Sequence, residues 1–130
     1  MRQEPTSRCV LRDVSELFAP EGGWRVRIID HSGASEDNIV EEVAGFPTLI
    51  QANAFARRYV RDSVERCRVP GMGAKEVLES WFAYGEDAEV AEAGDAGWRS
   101  ATELADFAAH AASIEERDWR ALDPRRDDFE

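Results

Sequence analysis

Apolar and charged residues alternate with period two along Trp24-Arg25-Val26-Arg27-Ile28, the pattern of a strand with one face buried and the other in water. Glu21-Gly22-Gly23 supplies a turn before it, and the polar run from His31 to Asn38 supplies a loop after it. A second strand is predicted from Ile39 to Ala44, and the short connection makes the two antiparallel neighbours. The period then changes. Leu49, Ala52, Ala56, Tyr59/Val60, Val64 and Cys67 recur at helical spacing, which places them on one stripe of a helix running from Thr48 to Arg68. Thr48 reads as its N-cap and Val69-Pro70-Gly71 as its stop. A second helix is predicted over Ala74 to Tyr84, burying Val77, Leu78, Trp81 and Phe82, with Gly85 as a left-handed terminator. Turn-forming residues on both sides predict a short strand around Glu89 to Ala91. Ser100-Ala101-Thr102-Glu103 reads as a capping box opening a last helix, whose stripe is Leu104, Phe107, Ala108, Ala111 and Ile114. Near the start, Asp13 to Phe18 is a candidate helical turn.

The order β-β-α-α-β-α with antiparallel neighbours predicts an α+β fold. The expectation is a small antiparallel sheet of about three strands, covered on one face by three helices. A chain of 130 residues suits one domain. Residues 1–115 are expected to form it, with 1–20 peripheral and 116–130 an acidic, partly flexible tail.

Charge narrows the function classes. The formal net charge of -11 argues against general nucleic-acid binding, which needs an excess of Lys and Arg, and against docking on anionic membranes. No apolar run approaches the ~20 residues of a membrane span, and the N-terminal residues carry no apolar segment of the secretory type. Two cysteines, Cys9 and Cys67, make no disulfide framework and fit a reducing compartment, so a cytoplasmic location with both thiols free is expected.

The charge is also uneven. Residues 48–68 carry 5 basic and 2 acidic groups, whereas every other stretch of the chain is net negative. Part of this helix is explained by i,i+4 pairs, Arg58/Asp62, Arg61/Glu65 and Asp62/Arg66. Arg57, Arg58 and Arg61 are nevertheless candidate interaction residues, because Arg suits bidentate recognition of carboxylate or phosphate. Trp119 joins them: it is one of four tryptophans, it lies in a charged tail without an apolar stripe, and Trp often anchors interfaces.

Candidate chemistry is sparse. Asp30-His31-Ser32 is the one place where an acid, a base and a hydroxyl adjoin, yet triads are assembled from distant segments and neighbours in sequence usually form a polar turn. His31, His110, Cys9 and Cys67 lack metal-ligand spacing, and Glu86, Asp87 and Glu89 fall short of a calcium loop. Gly71-Met72-Gly73 lacks the Lys and Ser/Thr of a phosphate loop and follows no strand. No catalytic residue, metal ligand or cofactor is therefore assigned.

Phe46-x-Thr48-Leu49, Gly71-Met72-x-Ala74-x-Glu76-Val77-Leu78, Tyr84-Gly85-Glu86-Asp87 and Trp98-x-Ser100-Ala101 occur in that order. Over about residues 24–112 this resembles a family of small bacterial hypothetical proteins sharing a Gly-Met-x-Ala-x-Glu-x-Leu segment followed by Phe/Tyr-Gly-Glu-Asp. Similar proteins have Pro and large apolar residues after the Gly-Glu-Asp, where this chain has Ala88-Glu89-Val90. The resemblance implies the fold and carries no residue role. The leading functional expectation is a non-catalytic cytoplasmic protein-interaction or regulatory module whose partner is another protein, with no nucleic acid and no membrane. The alternatives are a small enzyme using the Asp30-His31-Ser32 loop with carboxylates near Glu86-Asp87, and an acidic nucleic-acid mimic that blocks a basic protein. A deep pocket joining His31 to the acidic turn favours the enzyme, and a flat charged surface favours interaction.

Overall fold

The structure, a computed structural model, describes residues 20–32 and 39–126. Cys9 and the candidate turn at Asp13 to Phe18 lie outside the described residues. Three strands, β1 (Trp24–Asp30), β2 (Ile39–Phe46) and β3 (Glu86–Val90), form one antiparallel sheet in the order β2-β1-β3. Three helices, α1 (Leu49–Cys67), α2 (Ala74–Tyr84) and α3 (Leu104–Ala109), complete the small α+β fold, with single 3-10 turns around α3 and after it.

The alternation in β1 sorts the sheet into two faces. Trp24, Val26 and Ile28 are buried with Val43 and Phe46 of β2 and Ala88 and Val90 of β3, against Ala52, Phe55, Ala56, Val60 and Val64 of α1, Val77 and Trp81 of α2 and Phe107 of α3. On the opposite side, the register sets Arg27 across from Glu42 and from Glu89. Its guanidinium reaches Glu42 at 3.3 Å and Glu89 at 3.4 Å, while Arg25 pairs with Glu42 and Glu92. Opposite charges facing each other across strands support the register, and they offset much of the local acidity on this face.

The capping of α1 follows the sequence: the Thr48 hydroxyl oxygen accepts from the Gln51 N–H at 3.1 Å. At α2, the Gly73 N–H donates to the Glu76 carboxylate at 2.6 Å. Gly85 is a correction. Its backbone is extended, with φ -85°, so left-handed geometry is not why glycine stands there. A Cβ would lie 2.2 Å from Trp81 Cδ1, so the residue is small because the indole packs on the backbone. Of the four residues predicted to be buried on α2, Val77 and Trp81 are, Leu78 is half-buried and Phe82 is exposed.

The predicted last helix is shorter than its pattern, and its capping box does not form. Ser100–Thr102 is a 3-10 turn, and α3 has only six residues. The Ser100 hydroxyl donates to Asp87 at 3.1 Å, and the Glu103 carboxylate accepts from Arg57 and from Trp98 Nε1. Tertiary partners have taken both side chains that the local motif would use. Ile114, predicted on the buried stripe, is 87% exposed.

The domain boundary at residue 115 is also corrected, because the following segment folds back over α1 as far as Arg126. The Trp119 ring lies 5.8 Å from Phe55 and 5.1 Å from Tyr59, and its Nε1 donates to Asp62 at 3.3 Å. Arg117 donates to Asp62 at 2.8 Å, and Gln51 donates to the Leu122 carbonyl at 2.9 Å. Asp123 is only 1% exposed and is neutralised by Arg125, which also reaches Glu41 of β2 at 2.7 Å. The alternating charges of this segment hid how many partners it has on α1.

Candidate ligand-binding cleft

The four candidate interaction residues serve contacts within the chain. Arg57 clamps Glu103 through two bonds of 2.8 Å, and Arg58 donates to the Asp118 carbonyl at 3.0 Å. Arg61 is buried, donating to the Phe107 carbonyl at 3.0 Å with its guanidinium 4.6 Å from that ring's centroid. Trp119 is packed as described above. The basic stretch of α1 thus fastens the acidic C-terminal third onto the domain. Of the anticipated i,i+4 pairs, Arg61–Glu65 closes at 4.0 Å and Asp62–Arg66 at 3.5 Å, while Arg58 has turned to the C-terminal segment.

A different place concentrates chemistry. The inner-face period of β1, Trp24-Val26-Ile28, continues to Asp30, and that of β3, Val90-Ala88, continues to Glu86. The register pairs Asp30 directly with Glu86. At one end of the sheet the hydrophobic core therefore gives way to two opposed carboxylates. Ser63, Arg66 and Cys67, three and four residues apart, share one face of α1 above them. Ser80 and Tyr84 come from α2 in the same way. Together with Ser32, Val69 and Gly85 these residues line a cleft of about 410 Å³.

Each group in the cleft has a defined state. The Asp30 carboxylate accepts from the Ser32 hydroxyl at 2.7 Å and from the Ser32 N–H at 2.9 Å, and these bonds hold it below the usual carboxylate range. Glu86 accepts from the Tyr59 hydroxyl at 2.7 Å, with the Arg66 guanidinium 3.8 Å away. Burial, reinforced by the hydrogen bond to Glu86, pushes the Tyr59 phenol above its ordinary value, so it remains a donor. Burial likewise pushes the Cys67 thiol up, outweighing the bond to Ser80 and the charge of Arg66, so it stays protonated and weakly nucleophilic at neutral pH. Ser63 is 2% exposed. Its oxygen accepts from Trp81 Nε1 at 3.2 Å and from the Glu86 N–H at 2.8 Å. A serine hydroxyl has two acceptor positions and one proton. With both acceptor positions used, its proton is the group Ser63 can offer to the cleft.

Asp30-His31-Ser32 closes as a turn in which Ser32 bonds Asp30 directly. The His31 ring stands edge-on to Trp81, centroids 4.5 Å apart, and its nitrogens hydrogen-bond neither Asp30 nor Ser32. Asp87, the other predicted carboxylate, accepts from Ser100 and from the Ala88 N–H, and burial raises its pKa. No cluster of three or more His, Cys, Asp or Glu suited to a metal occurs among the described residues, and no described helix is long and apolar enough to cross a membrane. Sequence reasoning passed over Ser63, Cys67, Ser80 and Tyr84 as site residues. The available signal was a charge standing where each inner-face period calls for an apolar residue, at Asp30 and at Glu86.

Comparison of the chain with protein-family models, with curated proteins and with solved structures gives no match.

Proposed function

We propose that this protein is a non-catalytic regulatory module of the cytoplasm whose cleft binds a small polar molecule. The observation that carries this reading is the pair of opposed carboxylates, Asp30 and Glu86, kept at the end of the hydrophobic core beside the buried Ser63 hydroxyl in one cleft. Functional sites are where a sequence departs from the hydrophobic pattern that the fold alone would keep. The cleft volume falls within the range of small-molecule pockets, and the protonated Cys67 and the self-bonded Asp30–Ser32 turn supply neither an activated nucleophile nor its base.

Another protein as partner is a second reading with its own observation. On α2, Phe82 is 56% exposed and forms an open apolar groove with Leu78 and Ala83, edged by Lys75 and Glu79. A partner helix with an apolar stripe flanked by one acidic and one basic residue matches that pattern. Amide spectra of the labelled protein separate the two readings. Small polar metabolites at millimolar concentration are expected to give saturable shifts confined to residues 30–32, 63–67 and 80–86, and to be recovered chemically unchanged. Chemical conversion of the bound compound, or the absence of saturable shifts in those segments, overturns the proposal. Shifts induced by a partner protein at Leu78, Phe82 and Ala83 favour the second reading.

A further inference from the structure

The cleft reading extends to the class of ligand, and the inference rests on that reading. The lining holds two carboxylates, Asp30 and Glu86, against one guanidinium, Arg66, which lies 3.8 Å from Glu86 and 3.5 Å from Asp62, so the lining is net negative. An anion such as phosphate would meet the two carboxylates at close range, and a neutral sugar would leave their charge uncompensated. A simple cation would satisfy the carboxylates but present no acceptor to the buried Ser63 proton or to Arg66. The complement of the site bears two positive charges and one anionic acceptor. We infer that the cleft binds an α-amino acid with a cationic side chain, its carboxylate on Ser63 and Arg66 and its two cations on Asp30 and Glu86.

Two features support this assignment independently of the acidic pair. Ser63 is 2% exposed and its acceptor positions are filled, so what it can give a ligand is its proton, which suits an oxygen acceptor. Tyr59 donates to Glu86 at 2.7 Å and Ser32 donates to Asp30 at 2.7 Å, so both carboxylates are aimed by neighbours and keep further lone pairs for a ligand ammonium. The cleft of about 410 Å³ has room for a molecule of lysine's size together with bridging water.

The test uses the full chain and three probes in isothermal titration: L-lysine, cadaverine, which lacks the carboxylate, and L-norleucine, which lacks the side-chain cation. L-lysine is expected to bind saturably, with each of the other two at least ~10-fold weaker, a factor typical of losing one charge-assisted contact. In Arg66→Gln, a change at a half-exposed side chain, the preference for L-lysine over cadaverine should shrink while its preference over norleucine persists. The probe series on the unaltered protein needs no variant, so a folding defect cannot mask the outcome. Equal binding of cadaverine or of norleucine overturns the inference. Failure of L-lysine while another small polar compound shifts the cleft amides overturns the ligand class and leaves the cleft as a binding site. Failure of every compound removes both.

Discussion

Trp81→Ala is expected to lower the unfolding free energy by roughly 3–5 kcal/mol, the range for truncating a fully buried large aromatic. Trp81 is among the largest side chains with no exposed surface, and it reaches from α2 to Ser63 of α1 and to His31 just after β1. Its indole packs on the Gly85 backbone so closely that a Cβ there would be at 2.2 Å, its Nε1 donates to Ser63, and His31 meets it edge-on at 4.5 Å. Removing it loses apolar burial, one buried hydrogen bond and an aromatic contact, and leaves a cavity that the rigid strand ends cannot collapse to fill. Domains of this size hold only about 5–15 kcal/mol in all, so the variant should be close to its melting point at growth temperature. Urea unfolding measures this directly, and a loss below ~1 kcal/mol would show that the indole is not a core element.

The second large effect is expected at Arg61. Arg61→Ala should cost about 2–4 kcal/mol, a sum of one charge-assisted hydrogen bond and a desolvated cation–π contact. The guanidinium is almost fully buried, bonded to the Phe107 carbonyl, stacked over that ring and within 4.0 Å of Glu65 and of Glu116. The loss stays below the limit for a severed buried ion pair, because Glu65 retains Arg68 at 2.8 Å and the Phe107 carbonyl retains the Arg68 guanidinium as a donor. Arg58→Ala, which removes one exposed bond to the Asp118 carbonyl, should change stability by less than ~1 kcal/mol. Thermal unfolding of the two variants side by side checks the ranking, and equal effects would contradict it.

Those two arginines show where the sequence was legible and where it was not. Period two in β1, period 3.6 in α1 and the Thr48 cap are local features, set by residues a few positions apart, and the strands and the first two helices follow from them. Arg58 and Arg61 look alike in sequence because both lie on a basic, amphipathic helix. Only the tertiary arrangement, with Phe107 forty-six positions away, separates a buried arginine from a surface one. Ser100 and Glu103 failed in the same manner: the capping box was outcompeted by Asp87, Arg57 and Trp98, partners brought in from other elements. Trp119 was read as unpartnered because its neighbours, Phe55, Tyr59 and Asp62, sit on a helix more than fifty residues earlier. The cleft needed strand register as well as period, since only pairing shows that Asp30 and Glu86 face one another.

The central claim is that those two carboxylates are retained for binding and not for folding. Asp30→Asn tests it most directly, because asparagine keeps an acceptor for Ser32 while removing one of two opposed charges. The measurement is the unfolding midpoint of the variant, taken together with its affinity for L-lysine. A midpoint lowered only slightly, because the Ser32 bonds favour the ionised carboxylate in the fold, together with weakened binding, is the predicted result. A lowered midpoint with binding unchanged would contradict the claim and make Asp30 a structural residue.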